Sequence, residues 1–155
     1  MNQFYAKLYR YIVRKVNIAR VWHLRLLGAV VGSQTISYGR FFVIEDCKRL
    51  TIGNCVSINN GVLFNLSERI IIGDNVHISS NVQLATSSLN LGRHYAKPIY
   101  IENNVWLSSG VVISGGCRIG EGSIIGANSV VLSDIPSGVL AAGAPAKIVK
   151  KLINI

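Results

Sequence analysis

Three histidines and three cysteines are the side chains of this 155-residue sequence best suited to acid–base, nucleophilic or metal chemistry. They are His23, His77 and His94, and Cys47, Cys55 and Cys117. An imidazole can act as a general base near neutral pH, because its ordinary pKa lies close to the ambient pH. The cysteines are odd in number and widely spaced, without a C-x-x-C pair, which excludes a disulfide framework and a cysteine zinc site. We therefore expect small, buried cysteines in a reducing compartment.

A six-residue repeat organises the part of the chain that must position these side chains. From residue 101 the sequence divides without a gap into six hexads with an aliphatic first residue, and four upstream hexads share the register. The first residues are Ile52, Ile58, Ile72, Ile78, Ile101, Leu107, Ile113, Ile119, Ile125 and Val131. Ten hexads in one register indicate an internal structural repeat.

The period of six predicts the fold. A strand alternates every two residues and a helix repeats near 3.6, so six residues indicate a short strand followed by a corner. Three such sides close a triangular coil of about 18 residues, and stacked coils pair through parallel ladders. We expect an all-β solenoid with the aliphatic residues inside. Gly53, Gly73, Gly120 and Gly126 follow aliphatic residues, where we expect turn conformations that only glycine adopts cheaply.

Interruptions of a solenoid become loops, often on the binding face. The longest interruption lies between Leu84 and Ile101, so we expect one protruding loop over about 85–100, and this loop contains His94. His77 occupies an ordinary position within a hexad, and His23 lies outside the repeat, where we expect a structural role.

The N-terminal segment, 1–26, is predicted to be a basic amphipathic helix. Apolar residues recur there at helical spacing with cations on the opposite face, and residues 1–40 contain seven Lys or Arg and no acidic residue. Two interpretations stay open: contact with an anionic membrane, or packing on the chain's own body or a sister subunit. We expect the β-helix to occupy 27–140 and a basic tail of turns to occupy 141–155.

Charge is concentrated at the two ends of the chain. The net charge is +9, but the solenoid itself is nearly balanced, which argues against a nucleic-acid partner, because such binding needs a basic stripe with aromatic platforms. No signal peptide is recognisable, and the apolar run at 26–31 is too short to span a bilayer. We therefore expect a cytoplasmic protein, with membrane contact limited to the inner face.

The repeat resembles the hexapeptide-repeat acyltransferases, in particular the maltose/galactoside and polysaccharide O-acetyltransferase branch. The resemblance rests on I-G-D-N-V-H-I-S-S-N-V (72–82), K-P-I-Y-I-E-N-N-V-W-L-S-S-G-V-V-I (97–113), the hexads at 119–136 and A-G-A-P-A-K-I-V-K (142–150). It implies a left-handed parallel β-helix, a homotrimer, and acetyl-CoA as co-substrate in clefts between neighbouring solenoids. It implies no metal.

The resemblance also implies the site residues. A loop histidine would act as general base, but its expected position is Leu89, so His94 is the candidate, with His77 as an alternative. Other implied positions are Asn59 and Trp106 for the acceptor, and Trp106, Ser109, Ala127, Lys147 and Lys150 for the co-substrate. The acidic residue that helps to hold the acceptor in some relatives corresponds to Ser67, with Glu68 as a substitute.

The expected function is an acetyl-CoA-dependent O-acetyltransferase that acts on a sugar or surface-polysaccharide precursor. Two alternatives remain open: an N-acyltransferase of an amino sugar, and a catalytically inactive solenoid scaffold. A γ-type carbonic anhydrase would need three convergent histidines on zinc, and the sequence lacks an H-x-x-x-x-H spacing.

Overall fold

The computed structural model describes residues 3–90 and 93–152. Helix α1 (Gln3–Leu26) begins the fold, and a turn of 3-10 helix spans Cys47–Arg49. The strands are β1 (Val30–Val31), β2 (Ile36–Ser37), β3 (Phe41–Ile44), β4 (Leu50–Ile52), β5 (Ser57–Ile58), β6 (Val62–Asn65), β7 (Ile70–Ile72), β8 (His77–Ile78), β9 (Gln83–Ala85), β10 (Ser87–Asn90), β11 (Arg93–Ala96), β12 (Ile99–Ile101), β13 (Trp106–Leu107), β14 (Val112–Ser114), β15 (Arg118–Ile119), β16 (Ile124–Ile125), β17 (Val130–Val131), β18 (Val139–Gly143) and β19 (Ala146–Lys151).

The short strands build three parallel sheets that form the sides of a triangular coil. Sheet A has the order β1-β4-β7-β12-β15, sheet B β2-β5-β8-β13-β16-β18-β19, and sheet C β3-β6-β9-β14-β17. From β1 to β9 and from β12 to β17, successive strands enter sheets A, B and C in turn. Within these sheets only β18 and β19 pair antiparallel. The predicted β-solenoid is therefore confirmed.

The aliphatic first residues of the hexads form the core, as predicted. In sheet A, Ile52 pairs with Ile72, Ile72 with Ile101, and Ile101 with Ile119. All four side chains are at most 2% exposed. Burying one such side chain contributes about 1.5–3 kcal/mol, so the regular repeat supplies a continuous stabilising column.

The glycines that follow these residues provide space rather than a left-handed backbone, so the predicted reason for them was wrong. None of Gly53, Gly73, Gly120 and Gly126 has a positive φ. A Cβ on Gly53 would instead lie 2.6 Å from the carbonyl carbon of Gly73 in the next coil. The left-handed conformation falls two residues later, at Cys55 and Asn75, both with φ of 56°.

The cysteine prediction holds for two residues and fails for the third. Cys47 and Cys117 are buried, and burial raises the pKa of both thiols, with smaller contributions from nearby Asp46 and Asp134 respectively. Cys55 is exposed because it occupies one of the left-handed turns at a corner of the coil. Its thiol donates to Oε1 of Gln34 at 3.0 Å.

Both ends of the solenoid carry added structure. The C-terminal half of α1 packs on β1 and β2 through Val21 and Leu24, each 3% exposed. At the other end, the segment predicted as a basic tail of turns folds back, and β19 pairs antiparallel with β18. This pairing holds the backbone of Lys147, Lys150 and Lys151 beside β18 in the last coil.

Candidate active site

The binding residues implied by the resemblance lie along one edge of sheet B, the edge it shares with sheet C. Asn59, Ser109 and Ala127 each follow a strand of this sheet, so they occupy the same corner in different coils. The backbone N–H of Asn128 donates to the carbonyl of Ser109 at 2.9 Å, which stacks one coil directly on the next. Ser109 and Ala127 are exposed. We call this row the B/C edge.

The same edge ends in lysines at the C-terminal coil. The N–H of Gly126 donates to the carbonyl of Ala141 at 2.8 Å, and the neighbouring Ala142 pairs with Lys147 of β19. A β-bulge between Leu140 and Ala141 pairs Lys150 with Leu140, so two lysines three residues apart share the outer face of the sheet. Both side chains are exposed and suit contact with phosphates.

Trp106 occupies the middle of the outer face of sheet B. It pairs with His77 in the preceding coil and with Ile124 in the following coil. Its side chain is 52% exposed, and its ring centroid lies 5.8 Å from that of His77. Because Trp106 is exposed in the middle of sheet B, its ring can contact a ligand bound at either edge of this sheet.

A groove of about 830 Å³ opens on the opposite edge of sheet B, which it shares with sheet A. Its lining includes His77, Asn104, Trp106, Glu121, Ser137 and Lys151. The Nδ2 of Asn104 donates to Oε1 of Glu121 at 3.0 Å, which orders two of these polar side chains. Of the binding residues that the resemblance implies, Trp106 lines this groove.

His77 is held in place within this groove. Its Nδ1 lies 2.8 Å from Oγ of Ser57, which belongs to the preceding strand of sheet B. The other ring nitrogen, Nε2, has no hydrogen bond to the residues that the structure describes. The sequence contains a signal for this arrangement, because His77 and Trp106 are the sixth residues of I-G-D-N-V-H and I-E-N-N-V-W.

The predicted loop is a β-hairpin made of β10 and β11. Leu89 and His94 are directly paired in its register, whereas the side chains of both residues lie outside what the structure describes. The hairpin leaves the solenoid between β9 of sheet C and β12 of sheet A. The hairpin therefore projects from the corner between sheets C and A, whereas Trp106 lies on sheet B, the opposite side of the triangle. Within one chain, the hairpin and Trp106 are not at the same corner.

The remaining predicted positions are engaged within the chain. Asn59 is half-buried, and its Nδ2 donates to the carbonyl of Ile78 at 3.1 Å. The hydroxyl of Ser67 donates to Oε1 of Glu45 at 2.6 Å, and Glu68 forms a 3.7 Å ion pair with Arg69. Among the described residues, no three His, Cys, Asp or Glu side chains cluster as a metal site would require.

Known proteins show the same repeat and the same fold. The family model for bacterial transferase hexapeptide (six repeats) matches residues 98–133. A hexapeptide-repeat acetyltransferase from Vibrio cholerae, solved in complex with acetyl-CoA, is 32% identical with a TM-score of 0.83, over 96% of this chain and 85% of that one. A galactoside acetyltransferase in complex with coenzyme A is 33% identical with a TM-score of 0.77, over 84% and 68%.

Curated relatives are longer than this chain. The galactoside O-acetyltransferase of Escherichia coli is 43% identical over 90 residues, which are 54% of this chain and 44% of the relative. Across the curated relatives, the chain spans between 44% and 66% of their lengths. The repeat, the three-sheet coil and the high coverage of the Vibrio cholerae structure together establish that this chain belongs to the hexapeptide-repeat acetyltransferases and has their left-handed parallel β-helix.

Proposed function

We propose that this protein is an acetyl-CoA-dependent O-acetyltransferase that modifies a hydroxyl of a sugar or of a surface-polysaccharide precursor. The observation that carries the proposal is that Asn59, Ser109 and Ala127 lie at the B/C edge of different coils, with Lys147 paired at the same edge of the last coil. A long co-substrate with phosphates at one end and a thioester at the other fits such a row. The proposed reaction belongs in the cytoplasm, where acetyl-CoA is available.

Acetyl-CoA would lie parallel to the solenoid axis. Lys147 and Lys150 would bind its phosphates at the C-terminal coil, and the pantetheine arm would pass Ala127 and Ser109 towards Trp106. Neighbouring strands are about 4.8 Å apart, so the three steps from the coil of Ser109 to β19 span about 14 Å. The thioester would then lie at Trp106, with the acceptor beyond it near Asn59.

His94 would act as general base from a neighbouring copy of the chain. Since the hairpin leaves at the corner that sheet B does not share, it would reach the B/C edge of a neighbouring copy across a subunit interface. We propose a homotrimer, in which each of three edges meets the hairpin of a neighbour. Because the base would come from a neighbouring copy, an isolated chain would lack a complete active site.

The transfer step requires a single base. The imidazole of His94 would take the proton from the acceptor hydroxyl as its oxygen attacks the thioester carbonyl. Backbone N–H groups beside the edge would stabilise the negative charge on the tetrahedral oxygen. When the carbon–sulfur bond breaks, the imidazolium returns the proton to the sulfur and free CoA leaves.

His77 is the alternative base because it stands in the groove beside Trp106 of the same chain. Its Nδ1 is engaged by Ser57 at 2.8 Å, which orients the ring as a base is usually oriented by a third group. The two assignments differ in their dependence on assembly, because His77 needs no neighbour to reach Trp106.

A variant panel tests the proposal. Acetyl transfer from acetyl-CoA to a set of sugars, together with CoA binding, would be measured for the wild type, His94→Ala and His77→Ala. We expect His94→Ala to lower turnover by about 100-fold or more with CoA binding retained, and His77→Ala to retain most activity. Full activity in His94→Ala with loss in His77→Ala would transfer the role of base to His77.

The same panel separates the other functions. Transfer to an amino sugar but not to its hydroxyl analogue would show an N-acyltransferase, which needs the same cleft. Absence of both CoA binding and turnover in the wild type would favour the inactive scaffold.

A further inference from the structure

Helix α1 presents an exposed apolar stripe that the solenoid does not cover. We define the outer stripe as Tyr11, Lys15, Ile18, Trp22 and Leu26, whose spacings of three and four place them on one helix face. The apolar members Tyr11, Ile18, Trp22 and Leu26 are 60%, 52%, 58% and 62% exposed. Exposed apolar side chains that form one stripe mark an interaction surface.

The face of α1 that holds the helix on the solenoid is a different one. Asn17, Val21 and Leu24 are 6%, 3% and 3% exposed and share a face at spacings of three and four. At about 100° per residue, this face is turned well away from the outer stripe. The packing that fixes α1 therefore leaves the outer stripe mostly exposed, with Ile18 and Trp22 also bordering a groove against β2.

The segment that contains the outer stripe is positively charged. Residues 1–44 contain seven Lys or Arg and no Asp or Glu. Within the stripe, Nζ of Lys15 lies 5.5 Å from the ring centroid of Tyr11. Arg25 is fixed beside the stripe by donating to the carbonyls of Val31 at 3.1 Å and Gly32 at 2.6 Å.

We propose that the outer stripe binds the surface of an anionic lipid bilayer, with α1 lying in the plane of the interface. Tryptophan and leucine enter the boundary of such a bilayer while lysine and arginine meet its headgroups. Among the described helices, none is long and apolar enough to cross a membrane. A contact between the outer stripes of two copies fits poorly, since it would bring the same cations together and residues 1–44 contain no Asp or Glu to face them.

This proposal does not depend on acetyl transfer. It does bear on the acceptor, because a bilayer would bring a lipid-linked sugar precursor close to the enzyme. Binding to vesicles and acetyl transfer are separate measurements, so failure of one leaves the other intact.

Sedimentation with vesicles tests the proposal on the full chain. Vesicles of phosphatidylcholine alone would be compared with vesicles containing one quarter phosphatidylglycerol, at low and high salt. We expect binding to the anionic vesicles that weakens in high salt. Lys15→Glu should weaken it by about fivefold or more, and the double variant Ile18→Ser/Trp22→Ser by at least about tenfold.

A control variant on the solenoid and a measurement of the oligomeric state complete this test. Leu132 is 62% exposed on the last coils of the solenoid, so Leu132→Ser removes exposed apolar surface away from α1 and should bind vesicles like the wild type. Circular dichroism would confirm that every variant is folded. Unchanged vesicle binding in Ile18→Ser/Trp22→Ser would overturn the proposal. It would also be overturned if the wild type did not bind vesicles and this variant lost the oligomer, since the outer stripe would then be a contact between subunits.

Discussion

Leu89 and His94 are directly paired residues of the antiparallel hairpin β10–β11. Their Cα atoms are therefore separated by about 4.5–5.5 Å, and paired residues share a face of the hairpin. The position at which the resemblance implies a loop histidine, Leu89, and the position that carries histidine in this chain are thus neighbours in space. His94 follows Leu89 by five positions in the sequence, and the antiparallel register of β10 and β11 brings the two together.

This pairing predicts that the base can be moved across the hairpin. His94→Ala should lose activity, and the double variant Leu89→His/His94→Ala should recover about tenfold or more of it, because the imidazole returns to the same face. The measurement is acetyl transfer at saturating acetyl-CoA. Ser88→His/His94→Ala is the matched control, since Ser88 pairs with Tyr95 and lies on the other face. Equal recovery in both double variants would contradict the prediction.

The lysines of β19 should differ in their contribution to CoA binding. Lys147 is paired at the B/C edge, whereas Lys151 lines the groove on the opposite edge. We expect Lys147→Ala to raise the Kd for CoA by about threefold to tenfold, as loss of an exposed charge–phosphate contact of about 1 kcal/mol implies. Lys151→Ala should change the Kd by less than twofold. Isothermal titration calorimetry checks both, and a larger effect from Lys151→Ala would place the co-substrate in the groove instead.

Two glycines should respond differently to alanine. A Cβ on Gly53 meets the backbone of the next coil at 2.6 Å, whereas a Cβ on Gly122 meets nothing within 4 Å, although φ there is +67°. Gly53→Ala must separate two coils and should cost about 3 kcal/mol of unfolding free energy. Gly122→Ala should cost about 1 kcal/mol, from the left-handed backbone alone. Urea denaturation of the two variants gives both values, and the reverse order would show that the coil spacing is not constrained by Gly53.

The carboxylate of Glu102 should make a small, pH-dependent contribution to stability. It accepts from the side chain of Arg118 and from the N–H of Glu121, each at 2.9 Å, and these bonds lower its pKa, with the Arg118 contact the larger cause. Because the folded-state pKa is depressed, the stabilisation is present above the unfolded pKa and is lost as the pH falls through the folded one.

The comparison of wild type with Glu102→Gln tests this contribution. The wild type should be more stable at neutral pH by less than about 1 kcal/mol, since the side chain is partly exposed to solvent. The difference should shrink as the pH falls below the ordinary range of a glutamate. Denaturation curves at several pH values measure it. A difference that grows on acidification would show that the pKa of Glu102 is not lowered in the folded protein.

The hexad pattern predicted the interior of this fold because each aliphatic residue has one physical role. Ile72 and Ile101 stack in adjacent coils regardless of the segment between them, so their period survives in the sequence. The role of Gly53 was misjudged because its close contact is with the next coil, at Gly73, and no local pattern reveals that approach. The same holds for Cys55, which was expected inside and lies at a turn.

The site was partly accessible to sequence reasoning. The common edge of Ser109 and Ala127 follows from their separation of one coil, so spacing indicated it. The pairing of Leu89 with His94 depends on how a hairpin closes, and the hydrogen bond of Ser57 with His77 joins consecutive coils at 2.8 Å. Each contact depends on an irregular insertion in the repeat, one between Ile58 and Ile72 and the other between Leu84 and Ile101. Because these insertions change the spacing, a period of six does not predict either contact.

The proposed mechanism places acetyl-CoA at the B/C edge and the hairpin histidine of a neighbouring copy beside it. Its most direct test mixes two inactive variants, Lys147→Glu/Ser109→Trp with a blocked edge and His94→Ala without the base, after dissociation and reassembly. Mixed oligomers should regain acetyl transfer if the mechanism holds, because an intact edge meets an intact hairpin at some interfaces. Mixed oligomers that form, as shown by mass spectrometry, and stay inactive would contradict it.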